Sequence, residues 1–170
     1  YDAGLNHTMH KIEDRAIAKK ELCEMGVDDI DATAPNTQDS IDTTLKTKTL
    51  STMHKKSGNV EVEFGKTSKD NYLVETTPNK GYTKATGIVV NQSKIFSYFK
   101  LYQTLGHELT HAIDYYTGGA LTTFKEFYKQ NKSTAQGRFE KWLEYRAYDW
   151  EVRNAPDYWS SIYRHKYKKY

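Results

Sequence analysis

Apolar positions recur at helical spacing from Ile95 to Gly119, with Phe96, Phe99, Leu101, Tyr102, Leu105, Leu109, Ala112 and Ile113 marking the period. No proline interrupts the run, and Gly118-Gly119 supplies a C-terminal stop. Upstream the period shortens to two. Val60-Glu61-Val62-Glu63-Phe64 alternates strictly and Gly65 closes it, which predicts a first strand. Tyr72-Leu73-Val74-Glu75 predicts a second. Thr86 to Asn91 predicts a third, more apolar and therefore more buried. Short, turn-rich links favour an antiparallel or mixed sheet. The third strand lies just before the long helix, and a sheet edge bordering that helix would hold an extended peptide by strand addition.

The flanking segments are simpler. His10 to Met25 carries an apolar side at Ile12, Ala16, Ile17, Leu22 and Met25, and Gly26 ends this predicted helix. From Val27 to His54 the composition shifts to Asp, Thr, Ser and Asn. Asp28, Asp29 and Asp31 lack the spacing of an EF-hand loop and read as a solvated turn, and His54 before Lys55-Lys56 reads as surface. Leu121 to Lys129 is helical in pattern, Asn131 to Gly137 is a polar break, and Arg138 to Asn154 is a strong helix that Pro156 ends. Tyr158 to Tyr170 is aromatic and basic, the pattern of an amphipathic helix with a solvated face. The expected fold is α+β in one domain, residues 1–170: a small sheet packed on the long helix, then a mainly helical C-terminal half.

Composition narrows the function classes. At 170 residues the chain is long enough to bury a core, and its net charge of +3 is too small to argue for nucleic acid. Cys23 is the single cysteine, so no internal disulfide forms, which fits a reducing working compartment. No apolar run approaches a membrane span and no secretory signal is visible. The first residue is Tyr1 rather than methionine, which suggests a piece processed from a longer protein.

The long helix also carries the chemistry. His107-Glu108-Leu109-Thr110-His111 matches H-E-x-x-H, which chance would produce in about one chain in a hundred of this composition. Residues four apart lie one turn above each other on a helix, so both imidazoles can reach one metal ion. Glu108 is then placed to act on a metal-bound water. Two histidines leave a catalytic zinc one protein ligand short. The helix from Arg138 to Asn154 offers Glu140, Glu144, Asp149 and Glu151 as carboxylates. Glu144 borders the apolar side marked by Leu143, Ala147 and Trp150, and the small Ala147 would permit close approach to the metal helix. Glu151, seven residues on, is the runner-up. Glu140, beside Arg138 and Lys141, suits a surface ion pair. Asp114 is either an imidazole-orienting carboxylate or a surface group. Tyr148, Tyr158, Tyr163, Arg146 and His165 are candidate oxyanion donors, among which sequence does not choose.

Gly106-His107-Glu108-Leu109-Thr110-His111-Ala112, followed by a helix bearing Glu144-Tyr145-Arg146-Ala147, resembles the zincin metallopeptidases, and within them the gluzincins, whose third ligand is a glutamate on a later helix. The same residues resemble compact metallopeptidase domains of secreted bacterial effectors and polymorphic toxins, and the Tyr-Asp-Ala-Gly-Leu start is similar to the junction after the shell of rearrangement-hotspot toxins. The resemblance runs from the third strand to Glu151. It implies a zincin-like fold and zinc held by His107, His111 and Glu144. It also implies Glu108 as general base, and peptide-bond hydrolysis of target-cell proteins by an effector delivered into another cell. A cognate immunity protein and a carrier domain would be its partners. The fullest gluzincin motif has aspartate where this chain has Tyr148. Two other functions stand beside this one: a nucleic-acid-directed toxin using the basic tail, and a non-catalytic zinc-binding interaction module. The intact Glu108 argues against the second.

Overall fold

A computed structural model describes residues 15–33, 37–95 and 97–170. The fold is α+β and mostly helical. Seven α-helices among the described residues accompany one mixed three-stranded sheet. In chain order they are α1 (Ala16–Glu24), α2 (Gln38–Leu45), α3 (Lys48–Lys56), β1 (Val62–Gly65), β2 (Val74–Pro78), β3 (Ala85–Asn91), α4 (Tyr98–Tyr116), α5 (Gly119–Gln130), α6 (Ala135–Asn154) and α7 (Tyr158–Tyr167). A 3-10 turn, Gln92–Lys94, links β3 to α4. Residues 10–14 of the first expected helix, the Tyr-Asp-Ala-Gly-Leu start and Phe96 fall outside the described residues.

α4 is the hub. Ser97 caps it by accepting the backbone N–H of Lys100, and Gly118 at φ 87° turns the chain out of it, a left-handed conformation that glycine adopts without strain. The sheet, α1, α2, α3, α5 and α6 all pack on α4. Fifteen of its nineteen residues are buried, so the helix is enclosed on nearly every side rather than along one stripe. Tyr102, Leu101, Leu105 and Leu109 meet Leu22, Ile41, Leu50, Ile88 and Phe139 in the core. Truncating Leu105 or Leu109 to alanine would cost about 2–5 kcal/mol by loss of burial and the cavity left behind.

β3 is the centre strand. β1 runs parallel to it, pairing Val62 with Ile88, and β2 runs antiparallel, pairing Thr76 with Ile88. The strand order β1-β3-β2 leaves β2 as the edge against α4. The sheet edge that borders the helix is therefore β2, although β3 is the strand adjacent to the helix in sequence. The second strand starts two residues later than its alternation suggested and runs on through Thr76, Thr77 and Pro78.

The polar stretch after Val27 is more ordered than its composition suggested. Asp28, Asp29 and Asp31 do form an exposed turn, with Asp31 paired to Arg15. Beyond them α2 and α3 are short helices held by tertiary contacts. Buried Glu21 accepts both the backbone N–H and the hydroxyl of Thr49 at the N-terminus of α3, where a carboxylate complements the helix dipole. His54 is half-buried, its Nε2 bonded to the Val60 carbonyl, so it fastens α3 to the strand region instead of lying free on the surface. α6 begins at Ala135, which shortens the expected polar break to four residues. No helix among the described residues is long and apolar enough to cross a membrane.

Candidate active site

Burying the polar groups of α4 demands partners, because an unpaired buried polar group costs free energy comparable to a lost hydrogen bond. Following those partners traces the site. The amide of Gln103 donates to the Ala155 carbonyl at 2.9 Å, and Thr110 donates to the Gly106 carbonyl. Asp114 accepts a two-pronged contact from Arg146 at 2.8 and 3.2 Å. Of the others, His107, Glu108 and His111 converge on one point between α4, α6 and β2.

His111 Nε2 lies 2.9 Å from Glu144 Oε1, and His107 Nε2 lies 3.7 Å from Glu144 Oε2. One ligand atom from each of the three residues falls within 4.8 Å of the others. Zinc holds nitrogen and oxygen donors at about 2.0–2.2 Å, which sets neighbouring donors roughly 3.3 Å apart in a tetrahedron. The two separations, one to each oxygen of Glu144, lie on either side of that value, and the donor set of two imidazoles and one carboxylate fits zinc chemistry.

A second carboxylate orients the first imidazole. Glu151 accepts from His107 Nδ1, which leaves Nε2 facing His111 and Glu144. A carboxylate on the far nitrogen is the usual way to fix the tautomer and raise the basicity of a metal-binding histidine. The other oxygen of Glu151 accepts the Ser160 hydroxyl at 3.1 Å. Ser160 is fully buried and completes the capping box of α7 with Asp157. A continuous hydrogen-bonded path thus joins the seating of α7 to the orientation of His107. Two buried polar atoms beside the site, His111 Nδ1 and the Thr104 hydroxyl, find no partner among the described residues.

Glu108 faces the cleft from the same helix. Thr76 on β2 donates its hydroxyl to Glu108 Oε2, while Glu108 Oε1 lies 3.8 Å from His107 Nε2. The edge strand therefore fixes one oxygen of this carboxylate and leaves the other toward the histidines.

Electrostatics bind the group together. Burial disfavours charge on His107, but the carboxylates of Glu144 and Glu151, with Glu108, outweigh it and raise its pKa to about 10. Burial likewise disfavours charge on Glu144, and the two imidazoles hold it well below the usual carboxylate range. Burial, reinforced by Glu144 and Glu151, pushes the Tyr148 phenol far up, so it keeps its proton at any physiological pH.

The approach of α4 to α6 rests on one glycine. A Cβ on Gly106 would sit 1.8 Å from the Trp150 ring, so only glycine lets α6 lie close enough for Glu144 and Glu151 to meet His107. Ala147, expected from the sequence to permit this approach, is fully buried too, and Gly106 carries the tighter contact. A glycine inside a strong helical pattern was the available signal.

The remaining sequence candidates separate cleanly. Arg146 is engaged with Asp114, so neither acts at the histidines, and Asp114 is a buried partner of α6 rather than an imidazole holder or a surface group. Glu140 is exposed and accepts from Gln136 in place of an ion pair with Lys141 or Arg138. Asp149 pairs with Arg153 and Arg164. Tyr158 and His165 are exposed and do not line the cleft, whereas Tyr148 and Tyr163 do, with Tyr167 and Trp159 beside them. The cleft holds about 680 Å³ and reaches His107, Glu108 and Glu144. A larger depression of about 840 Å³ opens between α1, α3, α4 and α6, but none of the converging histidines or glutamates lines it. Comparison with protein-family models, with curated proteins and with solved structures gave no match.

Proposed function

We propose that this chain is a zinc-dependent metallopeptidase with a zincin-like, gluzincin-type site. The observation that carries the reading is the convergence of His107, His111 and Glu144 with an unligated glutamate, Glu108, beside them and a carboxylate, Glu151, behind His107. In this reading His107, His111 and Glu144 hold the metal. Zinc, when bound, polarises the scissile carbonyl and lowers the pKa of its water.

The chain's own groups account for the rest. Glu108, steadied by Thr76, takes the proton of the attacking water and passes it to the leaving amine. Tyr148, whose ring meets the His107 ring edge-on at 4.7 Å and whose phenol stays protonated, is the oxyanion donor best supported among the candidates. The free edge of β2 offers backbone groups to an extended peptide alongside Glu108. The resemblance to effector and toxin peptidase domains supports a role on target-cell proteins after delivery into another cell, with a cognate immunity protein as partner.

The test is hydrolysis of unfolded protein and peptide mixtures by zinc-loaded chain, set against Glu108→Gln. The variant should keep fold and metal, because Glu108 is not a ligand, and lose about two to four orders of magnitude in rate. Equal rates for the two proteins would remove Glu108 as the base.

A further inference from the structure

The cleft is unequal on the two sides of the histidines. Toward the C-terminal end of α4 it is a shallow space of about 270 Å³ that includes Glu140, Leu143 and Tyr115. Toward the N-terminal end it is the 680 Å³ slot, whose wall is built of ring faces. The Tyr148 ring stacks on Tyr163 at 5.1 Å and 27°, and on Tyr167 at 5.9 Å and 4°. Trp159 extends the wall from Tyr163 at 6.1 Å and 34°. At the mouth Trp159 is 56 % exposed, and Tyr72, from the segment before β2, is 38 % exposed. Aromatic surface of Trp159 and Tyr72 is thus left open to solvent beside a buried polar site, where burying it would be favourable.

The charges in the slot are already committed. Glu144 and Glu151 face the histidines, and Asp157 caps α7 through the backbone N–H groups of Trp159 and Ser160. Lys100 donates to Gln103 at 2.8 Å and lies near enough to Asp157 to favour its charge. Of the carboxylates that line the slot, Glu108 alone is not tied up on both sides, and its second oxygen lies toward His107, so a charged side chain held at the Trp159 end would lose hydration without return.

We propose that this slot is the specificity subsite of the enzyme, and that it takes an uncharged aromatic side chain next to the scissile bond, stacked against Trp159 and Tyr163. This inference rests on the metallopeptidase reading for the words "scissile bond", but the slot's preference for a ring does not depend on turnover. α7 is then the element that selects substrate. Its ring-bearing side forms the wall, while Ser160, one residue after Trp159, ties the same helix to Glu151 and so to His107.

The experiment separates the two claims. N-acetyl amides of phenylalanine, leucine, lysine and glutamate are not turned over by metal-free protein, so with it they report binding alone. They are titrated into metal-free protein while the indole N–H resonance of Trp159, assigned by its loss in Trp159→Ala, is followed by NMR. The phenylalanine amide should bind about tenfold tighter than the leucine amide and more tightly still than the charged ones. Trp159→Ala should remove most of that preference and Trp159→Phe should keep it, both read by titration calorimetry because neither variant keeps the Trp159 indole. Equal binding of leucine and phenylalanine amides, or an undiminished preference in folded Trp159→Ala, would overturn the proposal. A peptide library given to zinc-loaded protein reports hydrolysis separately. Cleavage without aromatic enrichment would refute the subsite alone, and ring selectivity without cleavage would refute the peptidase reading alone.

Discussion

At the scale of single residues, Gly106 and Glu108 offer the sharpest tests because each sets two effects against one another. In an ordinary helix interior, replacing glycine by alanine stabilises by about 1 kcal/mol. At Gly106 the new methyl would overlap Trp150 at 1.8 Å, and α6 or the indole would have to move. Overpacking of this kind costs about 1–3 kcal/mol. Gly106→Ala should therefore lower the melting temperature and also weaken zinc binding, since Glu144 and Glu151 ride on the displaced helix. A rise in melting temperature with unchanged metal affinity would show that the helices do not meet as closely as described here. Glu108→Gln, by contrast, should leave both quantities alone and abolish only the rate.

At the scale of elements, α6 and α7 act as a pair. α6 carries the third metal-binding candidate, the carboxylate behind His107, and Tyr148. α7 packs along it and reaches back through Ser160. Removing the Ser160 hydroxyl leaves one oxygen of buried Glu151 short of a donor, and substitutions behind a metal ligand typically cost 10–100-fold in affinity. Ser160→Ala should weaken zinc binding by roughly tenfold and Glu151→Ala by up to about a hundredfold, both less than Glu144→Ala. Competition with a zinc chelator measures this series, and Ser160→Thr should recover part of the loss. If Ser160→Ala binds zinc like the wild type, the path from α7 to His107 carries no influence on the metal.

At the scale of the whole molecule, the proposed metal site would link metal, protons and fold. The folded pKa of His107, about 10, lies above its unfolded value of 6.5, so its charge contributes stability fully below pH 6.5. That contribution fades as pH rises from 6.5 to about 10. Zinc needs the same nitrogen unprotonated, so binding near pH 7 should release about one proton per ion from His107, and zinc affinity should climb with pH across that window. Calorimetry in buffers of different ionisation enthalpy reads the proton count directly. Release of no proton would mean that the imidazolium of His107 is not displaced.

Much of this was legible in the chain and some was not, for physical reasons. α4 and α6 could be read because burial stamps a helical period on a long run. The pairing of His107, His111 and Glu144 followed from face and spacing. β2 was displaced by two residues because Thr76, Thr77 and Pro78 lack the alternation of a half-buried strand, and Thr76 faces Glu108. α2 and α3 leave little trace in the sequence because eight- and nine-residue helices with few apolar positions are held by tertiary contacts such as Glu21 with Thr49. Glu151 was placed on the correct face, but sequence gives a direction and not a distance. Its neighbour proved to be Nδ1 of His107 rather than the convergence point of the three candidate ligands.

The most direct measurement is zinc content of purified protein by mass spectrometry, after exhaustive dialysis, for wild type, Glu108→Gln, Glu140→Ala and Glu144→Ala. The account predicts about one zinc per chain in the first three and almost none in Glu144→Ala. Full occupancy in Glu144→Ala, or an empty wild type, would contradict it.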